Sequence, residues 1–283
     1  MKLVTYNTQY GVGRDGKFDL KRIAREVEGA DIVALQEVTR NFARNGGVDM
    51  VEGLAARLPG HFTAFGPAMD LDFGATDKEG RPLNKRFQFG NMVLSRFPVV
   101  ASRNLLLPRT LRFSRGNLQR SALEALVIAP SGPIRIYSVH LDHVSVTERA
   151  LQISHLKERA FAYADEGGAI SGSAEYGFPE PPRPNGFVLM GDFNMDRFSP
   201  EYMLMAGEQD GAPGAAGADP IDVYALGGLA DDAVSWVDDA KPEDNRLIDF
   251  AFVESSLAGR VGKVWIDREA KGSDHLPVWF EFA

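Results

Sequence analysis

Phe187-Val188-Leu189-Met190-Gly191-Asp192-Phe193-Asn194 joins a short apolar run to a turn that carries an acid and an amide. Four consecutive apolar residues stopped by a glycine read as a buried strand, and Asp192 and Asn194 belong to the residue types that favour the turn after it. The same arrangement recurs along the chain. Residues 32–35 are apolar and lead into Gln36-Glu37, residues 3–7 end in Asn7, and residues 134–139 end in His140. Asp249 lies in Arg246-Leu247-Ile248-Asp249-Phe250, and Asp274-His275 stand just before a last strand over 276–282. Further strands are predicted over 61–65, 91–95, 99–107, 121–128, 247–253 and 261–266. Helical spacing appears over 19–28 (Leu20, Ile23, Ala24, Val27), 48–58 (Val51, Leu54, Ala55, Leu58) and 147–163, the last with Leu151, Leu156 and Ala160 on one face. Ser199-Pro200 reads as a helix start, serine as cap and proline in the first turn. Many short strands among a few helices imply layered α/β architecture. Strand ends on one edge of a sheet converge on a common rim, where such proteins place their sites.

The composition bounds the rest. A chain of 283 residues, 44% hydrophobic and 25% charged, suits one large α/β domain over residues 1–283. The absence of cysteine excludes disulfides, thiolate zinc sites and cysteine nucleophiles. No apolar stretch approaches the ~20 residues that a membrane-spanning helix needs. The chain opens on a strand rather than on a basic and apolar leader, so a cytoplasmic location is expected, with a secreted form after leader removal as the alternative. A net charge of −8 argues against non-specific grip on nucleic acid, which a basic face usually supplies. Two stretches, 165–186 rich in glycine and proline and 207–220 rich in glycine, alanine and acid, read as mobile surface insertions.

Carboxylates and amides gathered without cysteine suit a hard cation such as Mg²⁺ or Mn²⁺, as one or two ions. Histidines beside them can donate to a phosphoryl group. A metal can polarise a phosphoryl oxygen and acidify a bound water. Together these are the requirements of phosphate ester hydrolysis.

In this order, Thr5-Tyr6-Asn7, Leu35-Gln36-Glu37, Gly90-Asn91-Met92-Val93-Leu94-Ser95, Ser138-Val139-His140-Leu141-Asp142-His143, Gly191-Asp192-Phe193-Asn194, Leu247-Ile248-Asp249-Phe250 and Ser273-Asp274-His275-Leu276-Pro277 resemble the successive signatures of the endonuclease/exonuclease/phosphatase superfamily. Each motif alone is weak; their ordered set over residues 3 to 278 is specific. The resemblance implies a DNase I-like four-layer α/β sandwich, two packed mixed β-sheets flanked by helices. It also implies a metal-dependent hydrolase acting on a phosphodiester or phosphomonoester. Glu37 would ligate the metal, with Asn7 and Asp274 close by. Asp192 would orient or deprotonate the attacking water, and Asn194 would steady a phosphoryl oxygen. His275 would bind or protonate the phosphoryl group, with Asp249 fixing its tautomer, and His140 would contact the phosphate from the opposite side. Asn91 and Arg120 match positions that support the site or the substrate phosphate.

Bland readings stand beside these. Singly, Glu37 or Asp249 would be a cap or a solvated acid, and Asp192 with Asn194 a simple turn. Arg120 reads equally as a surface ion-pair residue. Asp142 either pairs with His140 or caps the following helix, and His143 lines the substrate pocket. Arg149 and Gln152 read as a solvated helix face. Gly11-Val12-Gly13-Arg14-Asp15-Gly16 matches the dinucleotide fingerprint, and Glu37 stands about 20 residues beyond it, as a ribose-binding acid would. However, the helix signal begins too late for a phosphate to sit on its N-terminus. The alternatives to a phosphatase or phosphodiesterase are a nuclease of the same fold, an inactive scaffold, and an NAD(P)-dependent oxidoreductase. The His140-Leu141-Asp142-His143 segment resembles the bacterial phosphatase-like and sphingomyelinase-like branches. A phosphorylated small molecule or lipid headgroup is therefore favoured over nucleic acid as substrate.

Overall fold

The computed structural model describes residues 1–113, 116–207, 219–230 and 232–283. Its strands are β1 (Lys2–Asn7), β2 (Ile32–Arg40), β3 (Phe62–Asp72), β4 (Ala75–Thr76), β5 (Pro82–Leu83), β6 (Arg86–Ser95), β7 (Val99–Leu106), β8 (Ser121–Ala129), β9 (Gly132–His140), β10 (Phe187–Asp192), β11 (Ile221–Asp222), β12 (Asp249–Val253), β13 (Val261–Ile266) and β14 (Val278–Phe282). The α-helices are α1 (Leu20–Glu26), α2 (Met50–Arg57), α3 (Val146–Phe161), α4 (Tyr163–Glu166), α5 (Pro200–Ala206) and α6 (Val223–Gly227). Two six-stranded sheets result, in the orders β13-β14-β1-β2-β6-β3 and β11-β12-β10-β9-β8-β7, with β4 and β5 forming a small separate pair. Each large sheet is mixed: β1 runs parallel to β2, and β9 parallel to β10. This is the four-layer sandwich that the motifs imply.

Strand alternation builds the layers. Along β1 and β2, Leu3, Ile32 and Ala34 face the second sheet, while Val4, Tyr6, Val33 and Leu35 pack against Leu20, Ile23, Met50 and Leu54 of α1 and α2. On the helix side of the second sheet Phe187 packs edge-on against Phe161 of α3, and Phe250 and Phe252 pack against Tyr202 of α5 with Phe193 beside them, while Phe280 faces the second sheet beside Leu3; all five are fully buried, each contributing about 1.5–3 kcal/mol by leaving water. Asp19 caps α1, Asp49 caps α2 and Ser145 caps α3, each side chain accepting from backbone amides of the first turn.

Several elements differ from expectation. Strand β2 continues to Arg40 through a bulge between Leu35 and Val38, so Glu37 lies within the strand and not past its end. Strand β3 runs on to Asp72. On α3, Leu151 is exposed while Arg149 and Gln152 are buried. The reason is polar and not periodic. Arg149 donates to Glu201 and to the Asp142 carbonyl, and Gln152 bonds the Asp142 amide and the Pro108 carbonyl. Segment 165–186 is anchored: Glu180 accepts from the Gly172 and Ser173 amides and the Ser173 hydroxyl, and buried Arg135 donates to the Pro184 and Asn185 carbonyls. Of the stretch 207–220, residues 208–218 lie outside the described residues. At Gly11–Gly16 the N-terminus of α1 is already taken by the Asp19 carboxylate, which accepts from the Lys21 and Arg22 amides at 2.9 and 3.1 Å. A dinucleotide phosphate would meet that charge.

Two glycines mark close approaches that position the site. A β-carbon on Gly191 would stand 1.9 Å from the Val139 carbonyl oxygen, and one on Gly90 would stand 2.0 Å from that of Gly66. Strands β9 and β10 therefore approach closely just where His140 and Asp192 stand opposite each other. Gly191→Ala is expected to lower the unfolding free energy by about 2 kcal/mol or more in urea denaturation, the order of an overpacking penalty. A loss under about 0.5 kcal/mol, the level of a neutral surface change, would contradict the close approach.

Candidate active site

The site forms where one edge of each sheet meets the other. Across the second sheet, Ser121, His140, Asp192 and Asp249 stand in register on β8, β9, β10 and β12. Across the first, Asn7 is level with Gln36, and Asn91 stands opposite the bulge that carries Glu37. Alternation alone would aim Glu37 outward with Val33 and Leu35, at the helices. The bulge, with Glu37 at φ +58°, turns it inward. The charges of Arg120, His275, Asp274 and Asp192 then all act on its carboxyl.

Hydrogen bonds join the two rims. Asn7 Nδ2 donates to Asp192 Oδ2 at 2.9 Å, and Asn91 Nδ2 donates to the Ser121 carbonyl at 2.8 Å. Beneath them Gln36 Nε2 donates to Ser138 Oγ at 2.9 Å. The Asn194 amide donates to Asp192 Oδ1 at 2.9 Å, while the Asn194 side chain, on a residue at φ +50°, holds the Leu141 carbonyl.

Three carboxyls and two imidazoles divide into distinct electrostatic states. His275 Nδ1 lies 2.8 Å from Asp249 Oδ2, and its Nε2 lies 3.8 Å from Asp192 Oδ2. Burial alone would lower the His275 imidazole, but Asp249, Asp192 and Asp274 outweigh it and push it up to about 10. It is therefore an imidazolium at neutral pH. His140 is the reverse: burial, reinforced by the Arg120 charge, holds it well below its ordinary value. Arg120 Nη1 lies 2.6 Å from His140 Nε2. A guanidinium only donates, so Nε2 accepts and the ring is neutral. Asp192, 3.3 Å from His140 Nε2, is raised by burial to about 6 and is mostly ionised at neutral pH. Glu37 is raised by burial to about 7.

The remaining expected residues fall as follows. Arg120 is buried and reaches His143 as well as His140, so the surface ion-pair reading fails. Asp142 does not pair with His140. Its carboxylate accepts from Arg112 and from the Val144 and Ser145 amides, fixing the turn into α3. His143 is exposed beside Arg120. Asp274 accepts from Trp236 Nε1 and from Ser273 Oγ, both at 3.2 Å. Asn7, expected beside the metal, turns its amide NH₂ to Asp192 and accepts the Gln9 amide on Oδ1.

Sequence reasoning missed the supports. Ser235 Oγ donates to Asp249 Oδ2 at 2.7 Å and accepts from the Ile248 and Asp249 amides. Glu26 accepts from the Lys271 and Gly272 amides and from Tyr6, holding the loop that carries Asp274 and His275. A serine between helical and strand patterns and an acid on an exposed helix face carry no chemical signal in one sequence.

Hard oxygen donors dominate the site. Asp192, Asp249 and His275 bring ligand atoms within 4.8 Å of one another, a group that could hold a divalent ion only with His275 unprotonated. Asp249 Oδ1 is buried without a hydrogen-bond partner, and no described residue hydrogen-bonds the Glu37 carboxyl. Such a donor set fits Mg²⁺ or Mn²⁺.

A model of the endonuclease/exonuclease/phosphatase family matches residues 4–275. The chain belongs to that family. No curated protein matches it at a significant level. Solved structures similar to it include an endonuclease/exonuclease/phosphatase from Beutenbergia cavernae, 24% identical with a TM-score of 0.59, covering 100% of this chain and 72% of that one. A mannosyl-6-phosphatase from Bacteroides thetaiotaomicron is 18% identical with a TM-score of 0.66, covering 100% and 99%. The human nocturnin catalytic domain, with a bound sulfate anion, is 18% identical with a TM-score of 0.60, covering 100% and 94%. At these identities the likeness shows the fold.

The Asp249 carboxylate is the nearest support of the His275 charge. Asp249→Asn is expected to bring the His275 titration down from about 10 toward the ordinary histidine range near 6.5, followed by imidazole nitrogen shifts. A titration that stays near 10 would contradict this assignment.

Proposed function

We propose that the protein is a Mg²⁺- or Mn²⁺-dependent phosphoesterase that hydrolyses the phosphate ester of a small molecule or lipid headgroup. The observation that carries the reading is the convergence of two histidines on one carboxylate: His140 and His275 approach Asp192 at 3.3 and 3.8 Å, with Asp249 behind His275 at 2.8 Å. Cationic His275 and neutral His140 both face Asp192, while Glu37 stands across from them without a hydrogen bond.

In this reading Glu37 and Asp274 would hold the cation, which when bound would supply neutralisation of charge on the phosphoryl oxygens and a lowered pKa for a water. Asn7 keeps Asp192 pointed at the site. Asp192 takes the proton of the attacking water as its oxygen bonds phosphorus. His275 gives the Nε2 proton to the departing alcohol oxygen as the P–O bond breaks, leaving alcohol and phosphate, or a phosphomonoester from a diester. Asp249, held by Ser235, keeps the His275 proton on the correct face. Asn194, Arg120 and neutral His140 surround the phosphoryl oxygens, with Asn91 fixing the rim behind them. The −8 charge and the solved mannosyl-6-phosphatase of the same fold support a small phosphorylated substrate over nucleic acid.

Purified protein is expected to hydrolyse p-nitrophenyl phosphate or its bis-ester with Mg²⁺ or Mn²⁺, and EDTA is expected to abolish this. Glu37→Gln and Asp192→Asn are each expected to lower kcat about 100- to 10,000-fold, the range for loss of one catalytic group. Activity that survives EDTA and both substitutions would remove the reading.

A further inference from the structure

Helix α3 gives the buried side of its first two turns to polar residues. Glu148, Arg149 and Gln152 are buried there, whereas the later buried positions Ile153, Leu156 and Ala160 are apolar. Arg149 forms a buried ion pair with Glu201 of α5 at 2.8 Å. Such a pair stabilises a fold little more than apolar residues of the same volume would, because both charges lose their water. Its presence therefore calls for another reason, and the remaining bonds of these side chains supply one. Arg149 Nη1 donates to the Asp142 carbonyl at 3.1 Å, and Gln152 Oε1 accepts the Asp142 amide at 2.8 Å. The main chain of Asp142 is thus held on both sides by α3.

Asp142 lies in the turn that leaves β9 for α3, between His140 and His143. The preceding residue is held as firmly. The Leu141 amide donates to the Asp192 carbonyl at 3.0 Å, and the Leu141 carbonyl accepts from Asn194 Nδ2 at 3.1 Å. Gln152 also reaches a second segment, since its Nε2 donates to the Pro108 carbonyl at 3.0 Å. Pro108 follows Leu107, whose amide donates to the Arg120 carbonyl at 2.9 Å. Glu148 steadies the same segment by accepting the Thr110 amide at 2.9 Å. The two segments meet again at the site, where Arg120 lies 2.6 Å from His140 Nε2 and 2.8 Å from His143 Nδ1. One buried amide side chain, Gln152, therefore pins the chain that carries Arg120 to the chain that carries both histidines. Any shift of either segment would leave a buried donor or acceptor unmade, which a fold resists strongly.

We propose that Gln152 and Arg149 are positioning residues of the reaction: through the main chain of Asp142 and Pro108 they set where His140 and Arg120 stand, and so hold His140 Nε2 at 3.3 Å from Asp192. The inference rests on the phosphoesterase reading, in which His140 and Arg120 surround the phosphoryl oxygens. The cation side of the site is supported from elsewhere. Glu37 stands on β2, and the loop of Asp274 is held by Glu26 of α1 and by Trp236. Loss of the α3 contacts should therefore loosen the phosphoryl side and spare the cation side.

The test compares three variants with the unaltered protein. Gln152→Met keeps an unbranched side chain of similar length and removes both bonds. Arg149→Met combined with Glu201→Met removes the ion pair and the Asp142 contact together, so no buried charge is left unpaired. Ile153→Val, the next residue of α3 and part of the apolar core, controls for lost stability alone. Each is followed by thermal melting, by kcat and KM for p-nitrophenyl phosphate with Mn²⁺, by calorimetric titration with Mn²⁺, and by the imidazole nitrogen shifts of His140 in metal-free protein. In Gln152→Met and in the double variant kcat is expected to fall about 10- to 100-fold, the range for losing a side chain that orients a site residue. Their Mn²⁺ affinity is expected to stay unchanged while the His140 shifts move. Ile153→Val is expected to melt lower yet keep its kcat and its His140 shifts. If Gln152→Met does not fold, the double variant decides. Unchanged kcat, or unmoved His140 shifts, in the folded variants would overturn the inference and leave the phosphoesterase reading standing. A fall in kcat that Ile153→Val shares, or that a matching loss of Mn²⁺ affinity accompanies, would overturn it likewise. No hydrolysis by the unaltered protein would remove both.

Discussion

A polar seam between two sheets is the constraint on which the site depends. Asn7 to Asp192, Gln36 to Ser138 and Asn91 to Ser121 each cross from one sheet to the other. The residues are buried, so an unmade bond would cost about 1–3 kcal/mol while a made one adds about 1 kcal/mol net. That asymmetry makes the seam a register device more than a source of stability. Any sliding of one sheet over the other breaks all three bonds together. The apolar core beneath supplies the driving force without specifying alignment, because hydrophobic contact is non-directional.

Fixed register is what lets distant parts of the chain share one charge balance. Glu37 comes from the first sheet and Asp192, Asp249 and His140 from the second, while His275 stands on the loop before β14. Neighbouring charges then set the two histidines apart: three acids raise His275, and burial with Arg120 keeps His140 neutral. A shift of an ångström would weaken these couplings steeply, since they act across a low-dielectric space. The backbone accepts local strain for the same end. Glu37 and Asn194 both adopt left-handed conformations that aim a side chain where regular geometry would not.

Much of this was legible in the sequence, for identifiable reasons. Short apolar runs ending in Glu37, Asp192 or His140 announce buried strands with polar ends, and the ordered motifs announce how the strands are assembled. Gly191 before Asp192 reads as a turn signal, and the structure shows the deeper cause, a backbone approach that no side chain would permit. What stayed hidden were features that depend on three-dimensional partners. The bulge at Glu37 has no signature in an apolar run. Arg149 and Gln152 look solvated until Glu201 and the Asp142 backbone are brought to them. Ser235, Trp236 and Glu26 support the site from segments whose local pattern says nothing of chemistry. Asp142, adjacent to motif residues in sequence, serves the turn into α3 because Arg112 and two amides reach it first.

In the proposed reaction the inward-turned Glu37 carboxylate would hold the hard cation together with Asp274, on the side of the site that faces Asp192. The most direct measurement is crystallographic: anomalous diffraction from crystals grown with Mn²⁺. A strong peak is expected within coordination distance of the Glu37 carboxylate, between the two sheet edges and facing Asp192. Manganese found only on exposed surface acids, with the Glu37 carboxylate uncoordinated, would contradict it.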